Sequence, residues 1–580
     1  MSRRGEGWER GRWFWCALFV VFCHVTATVA AAEASGQAGA ELSPFGIGSC
    51  YINNRSAQDD ARWIPQMAAI GIQVMRTCHT AWDNVEPKEG QWSWSALDTQ
   101  MDFMRSNHME FGGILIGSVP WDKEKGLPVD NVPAWSNYVF HVVQHVGRKV
   151  KYWEVWNEPP NFIGPKQTAA DYAKILVSAY DAAKKANPDC LVGLAAKSVH
   201  VNFIEQVIKA GGRDHFDFIT LHPYEVLGTV ADGAGTEALF MNIVPTVRKM
   251  LAAQNPTKTN VPIIFTELGY DAGKSPQRQA EALVKAYTMG IAQGVACIEW
   301  FEGRDGDSGP MGLLDGKGNP RPAYTAMAQM IQRLGPHPVY LGWLLAGTGN
   351  YEFVFQGAKG PVMVTWTDTR KPVALAFENP VEIIRPSSGE STHGSGSELT
   401  GSPVLVMGVP PNLVHEAQAN KAKPLTWGGD YAEAKTVSIR MGATNDGRGL
   451  HTLSGEAIAA DVIAYGGPAR AGSVPGGNAF VVDPSFLSYT SEPIEIKVVV
   501  RRNPANDNAG FKLVYESTDG FKNLGWYTVP DNKQWHTKSW KITDEEFVGM
   551  WGYNFALESD GNVYNKYYIQ SVTVTKLRVR

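Results

Sequence analysis

A chain of 580 residues exceeds one ordinary domain and reads as roughly two to four. Its formal net charge of −5, with no basic run beyond the N-terminus, excludes nucleic acid as the partner the chain is built for. Six cysteines in that length, with no CxxC and no clustered His/Cys spacing, exclude a disulfide scaffold and offer no metal site.

Residues 1–32 read as a signal peptide. Arg3, Arg4, Arg10 and Arg12 form a positive n-region, Trp13 to Val25 is an apolar run short for a membrane span, and Ala30-Ala31-Ala32 offers a small-residue cleavage site. The mature protein is then secreted or periplasmic and makes no membrane contact, with an uncleaved signal anchor as the alternative. Cys16 and Cys23 leave with the signal. Among Cys50, Cys78, Cys190 and Cys297, a Cys50–Cys78 bridge and buried free thiols both stay open.

After a small-residue linker at 33–42, residues 44–334 alternate strand and helix patterns. Strands are expected near 45–50, 72–76, 111–117, 152–156, 191–195, 216–221, 263–266 and 296–300. Between them, Thr168 and Asp171 form a capping box ahead of an apolar face of Tyr172, Ile175, Leu176, Ala179 and Ala183. Ser275-Pro276 is an N-cap followed by Pro at the first helical position. Eight such units close into a (β/α)8 TIM barrel, where chemistry gathers at the C-terminal strand ends.

Two of those ends carry carboxylates. Trp153-Glu154-Val155-Trp156 runs into Asn157-Glu158-Pro159-Pro160, and the prolines stop the strand so that Glu158 stands at its tip. Val261 to Phe265 runs into Thr266-Glu267-Leu268-Gly269 in the same way. A lone glutamate at a strand exit is more often a cap or a surface charge, but a facing pair is the minimum equipment for glycosidic bond cleavage. Arg76 ends the second strand, His222-Pro223-Tyr224 the sixth and Trp300 the eighth, each also explicable as an ion pair, a satisfied core histidine or barrel packing.

The Asn-Glu-Pro and Thr-Glu-Leu-Gly stretches resemble the paired signatures of clan A retaining glycoside hydrolases, with the acid/base on strand four and the nucleophile on strand seven. The 109 residues separating the two glutamates correspond to about three βα units. Arg76-Thr77-Cys78-His79 with Trp82, Glu86-Pro87, Gly90 and Trp92 further resembles the strand-two loop of family 39 and related polysaccharide hydrolases. The resemblance spans roughly residues 44 to 420. It implies Glu158 as acid/base and Glu267 as nucleophile, with Arg76 and Tyr224 holding Glu267 ionised. It further implies Asn157 on the sugar 2-hydroxyl, His222 on the site floor and Trp300 as the platform under the sugar. His79, Trp82, Trp121 and Tyr270 are wider-cleft candidates. Glu158 is expected to have its pKa raised by partial burial and by the charge of Glu267. Lys123, Lys125 and Arg304 are the cations that would suit an acidic sugar.

Past the last barrel helix the pattern turns to strands. Residues 335–420 read as a small β-sandwich bracing the barrel, with 387–401 as a flexible polar loop. Residues 425–580 read as a jelly-roll sandwich, similar to carbohydrate-binding modules and able to fold by itself, in which Trp526, Trp535 and Trp551 serve either glycan stacking or a core. Asp446 is an undiagnostic Ca²⁺ candidate. The reading is a secreted retaining β-glycoside hydrolase of a polysaccharide or oligosaccharide, with a carbohydrate partner, no cofactor, and an oligomeric state the sequence does not reveal. A transglycosylase on the same site and a non-catalytic glycan-binding or surface-assembly protein with a relic barrel are its rivals.

Overall fold

The computed structural model describes residues 42–48, 57–122, 126–306, 308–345, 350–367, 372–425, 429–442, 445–453, 462–463, 468–473, 478–503 and 508–577. The signal-peptide reading, Cys50 with its possible bridge, Lys123 and Lys125 fall outside those residues. Among the described residues no helix is long and apolar enough to cross a membrane.

Eight parallel strands close into a barrel in sequence order: β1 (Phe45–Gly48), β2 (Val74–Thr77), β3 (Glu110–Leu115), β4 (Tyr152–Val155), β5 (Leu191–Lys197), β6 (Phe218–His222), β7 (Ile263–Leu268) and β8 (Cys297–Phe301). β8 pairs back onto β1, with Phe45 opposite Ile298 and Gly48 opposite Phe301. The strands are buried on both faces, as parallel strands covered by crossover helices must be. The crossover helices form where their end signals predict. Thr168 and Asp171 exchange both hydrogen bonds of a capping box at helix Ala169–Ala186, and Ser275 accepts from the Arg278 N–H ahead of helix Pro276–Gln293.

The next block is one six-stranded antiparallel sheet, made of β9 (Val339–Leu344), β10 (Asn350–Gly357), β11 (Gly360–Thr367), β12 (Val373–Arg385), β13 (Glu390–Leu399) and β14 (Val404–Met407), in the order β13-β12-β14-β11-β10-β9. Alternation along β10 and β11 divides its faces. Phe353, Phe355, Val364 and Trp366 join the barrel core, while Val354 and Met363 face a second apolar cluster that includes Ala417 of helix Pro411–Asn420. The polar stretch expected to be a loop at 387–401 is largely strand β13. It is an edge strand exposed on both faces, so apolar alternation never marked it; its order comes from pairing with β12.

The C-terminal domain is two antiparallel sheets enclosing their own core of Ile496, Val498, Phe511, Leu513, Phe555, Val572 and similar residues. It also lies against the barrel, because Val481, Val548 and Met550 belong to the barrel's apolar cluster rather than to this one.

Candidate active site

Arg76 on β2 holds together side chains from β4 and β7. Its Nε donates to Oε2 of Glu154 at 2.6 Å, Nη1 to Oε1 of Glu267 at 2.6 Å and Nη2 to Oδ1 of Asn157 at 2.8 Å. A guanidinium presents its donors in a rigid planar fork, so these acceptors are fixed in relative position as well as bound. His222, at the end of β6, is the second hub. Its Nδ1 stands 2.9 Å from Oε1 of Glu158 and 3.5 Å from Oε2 of Glu267, and its Nε2 stands 3.0 Å from Oγ1 of Thr266. Thr266 and Thr220 both donate to Oε1 of Glu154, at 2.8 and 2.5 Å, and Tyr224 donates its phenol to Oε2 of Glu267 at 3.2 Å.

Local backbone irregularity makes this convergence possible. A strictly alternating strand turns only one of two consecutive residues inward. The β7–β8 register shifts between Phe265 and Leu268, and this irregularity lets Thr266 reach Glu154 while Glu267 reaches Arg76. At the end of β4, Trp156 and Glu158 take φ of 70° and 45°, left-handed values that are costly for such residues and that concentrate where a site requires them. Trp156 is anchored there by its N–H to the Leu115 carbonyl and its indole to the Phe162 carbonyl.

The charges compensate one another. Burial pushes the Glu154 carboxyl up, but Arg76, then His222 and the two threonine hydroxyls, hold it below the ordinary range. Burial likewise raises Glu158, but the hydrogen bond and charge of His222, then Lys197 and Arg76, outweigh it. The expected rise at Glu158 is therefore replaced by a fall, because the nearest group is the imidazole rather than Glu267. His222 is pushed down by burial, and Glu267 and the Glu158 bond raise it above its ordinary value. Glu299 on β8 lies deeper, and its burial drives it well above the carboxylate range against the pull of Arg76. Glu158, His222 and Glu267 place donor atoms within 4.8 Å of one another, a spacing a cation could also use. Their atoms are already engaged with Arg76, Tyr224 and each other, so they fit a hydrogen-bonded acid–base cluster better than a metal site.

Six of the residues singled out in the sequence are thus brought together: Arg76, Asn157, Glu158, His222, Tyr224 and Glu267. Trp300 is not among them. Ile298 points outward onto Gly290 of a barrel helix, and Trp300, two residues on, shares that face at 0% exposure. Phe301 is the inward residue, its ring 6.3 Å from that of Tyr224. Trp82 is also core: it stacks on Tyr138 at 5.3 Å and its indole donates to Glu86. Tyr270 is buried and spends its hydroxyl on Asp232 at 2.6 Å, with burial and that bond pushing its pKa up to about 12. Trp121 is half-buried, edge-on to Trp82, and donates to the Glu86 carbonyl, while His79 Nδ1 lies 3.0 Å from the Thr77 hydroxyl. Of the cations for an acidic sugar, Arg304 donates to the Gly316 carbonyl at 2.8 Å.

Glu154, Thr220, Glu299 and Phe301 were not singled out. For the first three the available signal was a charge or hydroxyl in mid-strand, inside an otherwise apolar run, where only a buried partner can justify it; Phe301 carried no such signal.

Comparison with known proteins agrees on the fold. A family model described as glycoside hydrolase 42, beta-galactosidase, matches residues 50–115. No curated protein matches the chain in sequence. Among solved structures, a family 39 glycoside hydrolase from the gut symbiont Bacteroides cellulosilyticus WH2 is 19% identical with a TM-score of 0.51, over 64% of this chain and 81% of that one. The catalytic domain of family 30 xylanase C from Talaromyces cellulolyticus is 12% identical with a TM-score of 0.46, over 63% and 97%. A family 30 endoxylanase from Clostridium papyrosolvens C71 is 14% identical with a TM-score of 0.46, over 63% and 96%. The likeness to the family 39 structure is one of fold.

Proposed function

We propose that this chain is an exported retaining β-glycoside hydrolase acting on a polysaccharide or its oligosaccharides. One observation carries the reading: carboxylate oxygens of Glu158 and Glu267, on β4 and β7 ends, lie within 4.8 Å of each other across His222. Retaining enzymes hold their two carboxyl groups about 5–5.5 Å apart, whereas inverting enzymes need about 6.5–9.5 Å to admit a water. Export rests on the N-terminal basic and apolar run alone.

In this reading Glu267, oriented by Arg76 and Tyr224, attacks the anomeric carbon as the glycosidic bond breaks. Glu158 gives its proton to the leaving oxygen and then takes one from the water that releases the glycosyl-enzyme. The resting charges favour His222 as the proton's holder, and its Nδ1–H, 2.9 Å from Glu158, can return it along that hydrogen bond when a sugar fills the cleft and excludes water. Nε2–H then donates to Thr266, whose hydroxyl donates on to Glu154, so the imidazole keeps its orientation through the transfer. Asn157 has its Oδ1 held by Arg76, which leaves its NH2 for a sugar hydroxyl.

Screening purified protein against aryl β-glycosides and polysaccharides tests the reading. Glu267→Ala should abolish turnover of every substrate the wild type cleaves. Glu158→Ala should keep slow turnover of activated aryl glycosides and regain rate with azide. Azide rescue of Glu267→Ala in its place would reverse the two roles, and hydrolysis unaffected by either substitution would remove the reading.

A further inference from the structure

Lys197 closes β5, beside the acid/base. Its N–H donates to the Pro159 carbonyl at 3.0 Å, one residue beyond Glu158, and its ammonium is among the charges that act on the Glu158 carboxyl. What lies on the other side of Lys197 does not come from the barrel. Its Nζ stands 5.2 Å from the ring centroid of Trp551, a residue of the C-terminal domain. At that distance a cation is drawn to the face of an indole, and the attraction grows as water is excluded.

Trp551 is seated by an arrangement that fixes the whole turn carrying it. Glu516, buried in the C-terminal domain, accepts from the backbone N–H groups of Val548, Gly549 and Met550 and from Nδ2 of Asn554. That turn is pressed on the barrel. Gly549 and Gly552 both have positive φ, and a Cβ would come within 2.6 Å of Leu239 at the first and 2.8 Å of the Glu225 carbonyl at the second. Ser198, next to Lys197, donates to the Met550 carbonyl, and His200 meets the Trp551 ring edge-on at 6.4 Å. Val548 and Met550 are buried in the barrel's own apolar cluster. A loosely tethered module needs none of this fit.

We propose that Trp551 and Lys197 form a positioning pair for Glu158, which makes the C-terminal β-domain a working part of the catalytic unit; the inference rests on the retaining-glycosidase reading above. The indole holds the ammonium on the acid/base side of the cleft, where it acts on Glu158 together with His222 of β6 and Arg76 of β2. The opposing charges there are Glu267 of β7 and Glu225 of helix Tyr224–Ala231, and burial keeps Glu225 raised above the ordinary carboxylate range. His200, half-buried near Lys197 and brought down to about 4 by desolvation, adds no charge near neutrality.

The test uses the full chain and an aryl glycoside that the wild type cleaves, with kcat/KM followed against pH in Lys197→Met, Trp551→Ala, Trp551→Phe and the Lys197→Met/Trp551→Ala double variant. Removing the ammonium lets the hydrogen-bonded Glu158–His222 pair keep its shared proton to higher pH, so the alkaline limb in Lys197→Met moves upward. Trp551→Ala moves it the same way by less, with kcat down about ten- to a hundredfold from misplacement. Trp551→Phe, which keeps a ring in the packing, restores the wild-type profile, and the double variant matches Lys197→Met because the ring acts through the lysine. An active wild type whose alkaline limb stays put in both single variants overturns the inference and leaves the glycosidase reading standing. So does a double variant in which the two losses simply multiply, since that marks Trp551 as packing alone. A wild type inactive on every glycoside fails the parent reading and takes this one with it.

Discussion

Glu154 is the residue whose removal should cost most outside the two carboxylates proposed to do the chemistry. It is the buried anion that Arg76, His222, Thr220 and Thr266 all face, directly or through a hydroxyl. Glu154→Gln leaves Arg76 short of a buried partner and should destabilise the protein by about 3–5 kcal/mol in urea unfolding. The same cluster sets a pH dependence. His222 is raised from 6.5, so its contribution to stability is full below that value and is lost as pH rises through the higher folded-state value. Glu154 and Glu158 are lowered from 4.5, so theirs is present above that value and is lost as pH falls through the lower folded-state values. The site's contribution should therefore peak between 4.5 and 6.5. Melting temperature against pH for wild type and His222→Phe checks this: the alkaline fall attributable to the site should vanish in the variant. Arg76, His222 and Glu267 were legible because each is a polar residue at or next to the end of an apolar strand. Glu154 was not, since its neighbours Trp153 and Val155 make the strand look uniformly apolar.

At the level of the element, the two irregular strand ends decide which side chains see the cleft. Reading β8 as 296–300 put its last aromatic one residue early, and a one-residue error in a strand exchanges its faces. Trp300 is therefore packing, and Phe301 is the inward-facing residue proposed to meet the sugar. Trp300→Ala should cost about 3–5 kcal/mol of stability through cavity formation, whereas Phe301→Ala should lower kcat/KM well beyond what its change in melting temperature explains. Equal losses of activity per kcal/mol in the two variants would contradict that assignment. The β7 irregularity was equally hidden, because Thr266-Glu267 reads as ordinary alternation until Glu154 and Arg76 are seen to claim both. Edge strand β13 escaped for another reason: its Ser, Thr, Gly and His residues face solvent on both sides, so pairing alone defines it.

Across the whole molecule, the three blocks share buried surface. Trp366 of β11 donates to Glu237 of the barrel, where Lys285 also binds, and Tyr489 of the C-terminal domain donates to Glu205 of a barrel helix. Composition announced each block and the bracing of the barrel by residues 335–420, but the docking of the C-terminal domain, expected to fold by itself, was invisible, since an alternating strand shows which face is apolar and not what covers it. A chain ending at residue 424 should expose the barrel surface around Leu239 and Ser198 and aggregate, and calorimetry of the full chain should show the barrel and C-terminal domain unfolding in one transition. A soluble truncation with the full chain's melting temperature would contradict this. The central claim is chemical: Glu267 attacks and Glu158 donates, with the sugar's configuration inverted twice. Proton NMR of the first-formed product, recorded before mutarotation on any β-glycoside the protein cleaves, tests it most directly; the account predicts the β-anomer, and an α-anomer appearing first would contradict it.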